Sequence, residues 1–227
     1  MKSHILCSIR YSIVLLMLCA GSLTAADSTG EKLLVRSYFE PIFKGLSEQL
    51  STYESQYKQD PVAYRDFIDQ YIRAHWHAGS TASALIGRDN FRVLDAAQRQ
   101  GLVAAVDATL ERYAFEGLEY YGGQHFKLVD VAISASGKMG WLQVLMESPI
   151  IPDLNLDILI KRTAQGVWKA VDVRFKGITY VAVKKHQFRK ILHKKGSQAL
   201  IDTLTVKNND FFATLCSAAD KKGDQPC

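Results

Sequence analysis

The sequence predicts an α+β fold with a helical N-terminal half, a four-stranded and mainly antiparallel twisted sheet, and C-terminal helices. Three observations carry this expectation. Apolar residues recur at helical spacing as far as Tyr113, the period drops to two after Gly123, and helical spacing returns after Gly177. Helices gathered before a run of strands indicate α+β rather than alternating α/β units.

The first helix is marked by Val35, Phe39, Ile42, Leu46 and Leu50, with Pro41 expected to kink it or to begin its regular part. A second helix opens at Asp60-Pro61, where aspartate can cap and proline suits the first helical position. Tyr64, Phe67, Ile68, Tyr71, Ile72 and His75 form its buried stripe. After "GSTASALIG", Asp95 and Gln98 form a variant capping box. Leu102, Val106, Leu110 and Tyr113 follow on one face of that third helix, and "YYGG" at 120–123 stops it.

Alternation then places Phe126, Leu128, Val131 and Ile133 in one strand and Leu142, Val144 and Met146 in the next, across the turn "SASGKMG". Pro149 and Pro152 break the chain before a third strand, in which Leu154, Leu156, Ile158 and Ile160 share a face. "TAQG" is a four-residue hairpin loop into the last strand. There Val167, Val171, Val173 and Phe175 are expected on one side, and Trp168, Asp172 and Arg174 on the other. A helix from about Ile178 to Lys194 stops at Gly196, and a short one runs through Leu200, Ile201 and Leu204.

The ends have a separate character. Lys2 and Arg10 precede the apolar run Tyr11 to Ala20, and "GSLTAAD" follows, so residues 1–26 are expected to be a cleaved secretory signal peptide. Cleavage is expected after Ala26 or one residue earlier, leaving 27–227 as a single exported domain with a flexible tail from about 207. Removing Lys2 and Arg10 lowers the formal charge from +5 to +3, too mild a balance to indicate nucleic acid. Cys216 and Cys227 remain beyond the signal and are expected to form one disulfide, the alternative being two free thiols. Two cysteines without a nearby histidine pair do not fill a tetrahedral zinc site, so no metal or cofactor is expected.

No catalytic constellation emerges. His75 and His77 are two apart and diverge on a helix, and Ser80 lacks the elbow that exposes a nucleophile. Asp130, Glu147, Asp157 and Asp172 could pair for acid–base work, but each alternates with apolar neighbours as outer-face residues do. What remains is an apolar sheet followed directly by a helix dense in Lys184, Lys185, Arg189, Lys190, Lys194 and Lys195. A ligand with a long apolar body and an anionic head fits both halves.

The stretch from Ile86 to Gly123 resembles the MlaC family of auxiliary-transport proteins, through Ile86-Gly87, Phe91, Asp95, Gln98-Arg99 and Tyr113. Trp168, Asp172-Val173, Gly177, Tyr180, Phe188, Leu192 and Gly196 extend the resemblance, which spans about Val35 to Leu204. Leu94-Asp95 stands where that family commonly has Ser/Thr-Pro, and the "HWH" segment and the cysteine tail look particular to this chain.

The resemblance implies a periplasmic phospholipid carrier with no enzymatic step, serving outer-membrane lipid asymmetry. Its implied partners are an outer-membrane lipoprotein and an inner-membrane ABC transporter with an MCE-type ring. Acyl chains are then expected in a cavity near or above the upper end of the usual range of about 300–1,000 Å³. Its expected lining is Phe126, Leu128, Val131, Ile133, Leu142, Val144, Met146, Ile158, Ile160, Val171, Val173 and Phe175. Lys161, Arg174, Lys184, Lys185 and Arg189 are the expected head-group or partner contacts. A carrier of another amphiphile such as a hopanoid, and a small cone-shaped enzyme acting on an apolar substrate, are the alternatives.

Overall fold

A computed structural model of the protein describes residues 23–220. Residues 1–22, most of the expected signal peptide, lie outside the described residues, as does Cys227. The first helix, α1 (Leu23–Tyr57), runs through Pro41 as one element. The second, α2 (Pro61–Tyr71), begins as its sequence demands: the Asp60 carboxylate accepts from the Val62 and Ala63 amides at 3.0 Å. A 3₁₀ turn (Arg73–His75), α3 (Ala78–Ile86) and α4 (Arg88–Val93) follow. Then comes α5 (Ala96–Leu118), whose capping box forms in both directions between Asp95 and Gln98.

The strands β1 (His125–Ile133), β2 (Met139–Glu147), β3 (Leu154–Arg162) and β4 (Trp168–Phe175) form an antiparallel meander. A fifth strand, β5 (Ile178–Thr179), turns back on β4 through Lys176 and Gly177, both at positive φ. The expected sheet of four therefore has five strands, the last too short to leave an alternation signal. Gly140 is obligatory in β2, because a Cβ there would lie 2.7 Å from the Ala132 carbonyl oxygen.

The last helix, α6 (Tyr180–Asp220), breaks at Gly196, where φ is +84°. Only glycine adopts that conformation without strain. Residues 207–220, expected as a tail, continue this helix, and Phe211, Phe212 and Leu215 pack on the aromatic cluster beneath α2. The tail expectation is corrected for those residues: apolar side chains at helical spacing hold the segment down.

Three apolar clusters build the interior. One joins α3, α5 and α6 through Leu85, Ile86, Leu102, Val106, Phe188 and Leu200. Another sets Val35, Phe39 and Phe43 of α1 on Leu128, Val131, Leu142, Val144, Ile160 and Trp168 of the sheet. The third joins α1, α2 and α5 through Leu50, Tyr64, Phe67, Ile68, Phe115 and Leu118. Arg65–Glu111 at 2.7 Å and Arg73–Asp107 at 2.6 Å tie α2 and the 3₁₀ turn to α5.

Helix α1 also closes the open edge of β1. Ser47 Oγ accepts from the Phe126 amide at 2.8 Å, and Arg36 donates to the carbonyls of Leu128 and Val129 at 3.3 and 2.8 Å. Free strand-edge groups otherwise invite association with other chains.

Candidate functional site

Two β-bulges decide which side chains face α1. In β1, Leu128 pairs with Val144 and Asp130 with Gln143, so Val129 is the extra residue and is half exposed. Phe126, Leu128, Val131 and Ile133 consequently share one face, as the alternation indicated. In β4, Asp172 pairs with Leu159 while Ala170 pairs with Ile160, leaving Val171 as the extra residue. A bulge shifts the alternation by one. The α1 face therefore carries Trp168, Ala170, Val173 and Phe175, and Val171 belongs to the opposite face beside Leu159 and Lys161.

This corrects two expectations. Val171 is not an inward position, and Trp168 is one, packed in the α1–sheet cluster with its indole N–H donating to Glu31 at 2.9 Å.

Against that inward face lies an apolar hollow of about 250 Å³. Its sheet wall is Phe126, Leu142, Val144, Leu156, Ile158 and Ala170, and its helical wall is Phe39, Ile42, Phe43, Leu46, Tyr71 and Ile72. A second hollow of about 360 Å³ continues beneath α2 and α5, touching Leu50, Phe67, Leu118, Tyr121, Met146 and Ile151. Leu46, Ile72 and Phe126 border both and form the partition between them. Each is smaller than the expected cavity, because α1 packs directly on the sheet at its N-terminal end.

Among the described residues, the side chains with polar atoms that border the first hollow are Tyr71, His75 and Trp76. His75 Nδ1 meets the Tyr38 hydroxyl at 2.9 Å, and the Trp76 indole N–H donates to Thr81 Oγ1 at 2.9 Å. Burial, aided by the Lys169 ammonium, holds the His75 imidazole below its ordinary pKa. The ring is thus neutral at pH 7 and adds no charge to an apolar wall.

The expected lining residues divide into three groups. Phe126, Leu142, Val144 and Ile158 line the first hollow, and Phe126 and Met146 line the second. Leu128, Val131, Ile133 and Ile160 pack beneath α1. Val173 lies across from Ile158, and Phe175 is exposed at the sheet end. The helical wall, Leu156 and Ala170 were missing from the expected lining. The helical positions Phe39, Ile42, Leu46, Tyr71 and Ile72 carried the signal, as members of apolar stripes that periodicity alone reads as core.

Of the expected cationic contacts, Arg174 is engaged elsewhere: it pairs with Asp157 at 2.8 Å and covers the Trp141 ring at 4.1 Å. Lys184 lies 5.7 Å from the Tyr113 ring, and Lys185 is exposed on α6. Lys161 and Arg189 come together on the far face of the sheet from the apolar hollows. The four strand acids do not meet: Asp130 and Glu147 are exposed, Asp157 is paired with Arg174, and Asp172 is buried at the start of α6. Cys216 is disulfide-bonded, and the expected partner, Cys227, lies outside the described residues.

Helices laid across one face of an antiparallel meander, with hydrocarbon-lined hollows between the layers, define an α+β protein shaped to enclose an apolar body. The family model described as MlaC protein matches residues 42–206, and the chain belongs to the MlaC family. Its fold is similar to that of a phospholipid-binding protein from Ralstonia solanacearum, solved in complex with a phospholipid. The two share a TM-score of 0.60 at 18% sequence identity, over 76% of this chain and 98% of the other.

Proposed function

We propose that this chain is a periplasmic phospholipid carrier, in which acyl chains occupy the hollows between α1, α2 and the sheet. The observation that carries this reading is the first hollow's wall: twelve of its side chains come from two layers and its only imidazole is kept neutral. Membership of the MlaC family and the fold of the phospholipid-binding protein from R. solanacearum support the same ligand class.

Energetics explain why a carrier is needed. Each buried CH₂ is worth about 0.8 kcal/mol, so two acyl chains of roughly 30 such groups face a barrier on the order of 20 kcal/mol in water. A hydrocarbon-lined enclosure makes transfer nearly neutral. Two chains need more room than either hollow gives, so Leu46, Ile72 and Phe126 turn aside in the loaded state and join the two spaces. Release and reloading occur at an outer-membrane lipoprotein and an inner-membrane ABC transporter with an MCE-type ring, with Lys184 and Lys185 of α6 steering acidic partner surfaces. A Cys216–Cys227 bond closes the C-terminal loop.

Native mass spectrometry of protein isolated from the periplasm tests the reading. Co-purified phospholipid is expected; a hopanoid would reassign the cargo. Lipid-free protein that also takes nothing from liposomes would refute the carrier role.

A further inference from the structure

Across the sheet from the apolar hollows lies a space of different chemistry, about 580 Å³ between α3, the β3–β4 pair and the first half of α6. Leu159 and Val171 form an apolar floor, and Arg88, Lys161 and Arg189 stand around it with the hydroxyls of Ser80 and Ser83. None of these three cations has an ion-pair partner among the described residues, and Arg189 Nε is buried without any hydrogen-bond partner. Among the described residues the Lys161 ammonium reaches only the Ser80 hydroxyl, at 3.4 Å.

Among the described residues one carboxylate borders the space, and it is already engaged. Asp172 Oδ1 accepts from the Val173 amide at 2.9 Å and the Val181 amide at 3.2 Å. Asp172 therefore serves the start of α6 rather than the guanidinium of Arg189.

A buried guanidinium N–H without an acceptor is costly, and like charges gathered together repel. An anion with several acceptor oxygens relieves both. The donor set exceeds what the two oxygens of a carboxylate can use and suits a phosphate, for which the planar arginine fork is well matched. The space is too large for inorganic phosphate alone, and its floor suits a short organic body.

We propose that this second hollow binds a phosphate ester carried on a small polar or short-chain body. Such a ligand has two sources: a phospholipid head group presented at a membrane, or a free glycerol or sugar phosphate. The proposal does not rest on the carrier reading, because β3 and β4 separate the two spaces.

The experiment follows the Arg189 Nε–H and the Ser80 and Ser83 amides by ¹⁵N NMR in the full mature chain. Inorganic phosphate, glycerol 3-phosphate and phosphatidylglycerol vesicles are titrated separately at low ionic strength. Glycerol 3-phosphate is expected to shift all three groups, and raising the salt to about 0.15 M to weaken it. Arg189→Gln and Lys161→Gln are each expected to weaken binding about tenfold. Lys161 is exposed, so its variant tests the site even where Arg189→Gln fails to fold.

Shifts with vesicles alone assign the head-group source, and shifts with the soluble ester assign the free one; either supports the site. Response to none of the probes, or equal affinity in folded variants, overturns it. Lipid retained by Lys161→Gln in native mass spectrometry keeps this outcome separate from that of the carrier reading.

Discussion

Replacing Ala170 with leucine distinguishes a ligand space from a core that merely packs loosely. The Ala170 side chain faces the first hollow, level with Ile160 on the neighbouring strand. Leucine adds three carbons, and at about 0.8 kcal/mol per buried CH₂ these are worth roughly 2 kcal/mol where room exists to hold them. Were the space already filled, the same change would overpack it, at a cost of about 1–3 kcal/mol. The two cases therefore differ in sign.

The hollow is only about 250 Å³, so a leucine there also removes volume that an acyl chain needs. The assay is urea unfolding of delipidated protein, since bound lipid would itself raise stability. Lipid uptake from liposomes is measured alongside. The variant is expected to unfold at higher urea and to load less lipid. A less stable variant with undiminished loading would refute the assignment of this space to ligand.

Two further outcomes follow from the same geometry. Ile158→Glu places a carboxylate against bound hydrocarbon, a penalty of several kcal/mol that should lower lipid affinity by roughly a hundredfold or more. Leu145→Glu, on the other face of β2, should leave loading intact; equal loss in both, measured by native mass spectrometry, would put the lining on the wrong face. Asp172→Asn tests electrostatics. Burial raises the Asp172 carboxyl above the ordinary aspartate value of 3.8, against the opposing pull of the Val181 amide, the Thr179 hydroxyl and the Val173 amide. The folded state therefore keeps its proton to higher pH than the unfolded state, and this group's contribution to stability falls as pH rises from that ordinary value through the raised one. Urea midpoints should show the asparagine variant gaining on the parent across that window, with a constant difference above it. Parallel profiles would mean the carboxylate is not destabilised by its site.

Although α3, α4, the 3₁₀ turn and β5 were not read from it, the sequence by itself determined the order of α1, α2, α5, the four long strands and α6, both aspartate caps, the stop at Gly196 and the inward series in β1. Each is local: a cap needs only residues three apart, a positive φ needs only glycine, and alternation reports a bulge when apolar residues change parity, as they do between Leu128 and Val131. In β4 the same signal misled, because Val171 is apolar on either face and nothing local says which strand neighbour it lacks. Only the tertiary structure decided that α1 and α2 wall the hollow, that Leu46, Ile72 and Phe126 divide it, and that Arg88, Lys161 and Arg189 meet behind the sheet. Such arrangements depend on how layers pack across long separations in the chain, and periodicity records that a side chain is buried without recording whether it touches a neighbour or a space.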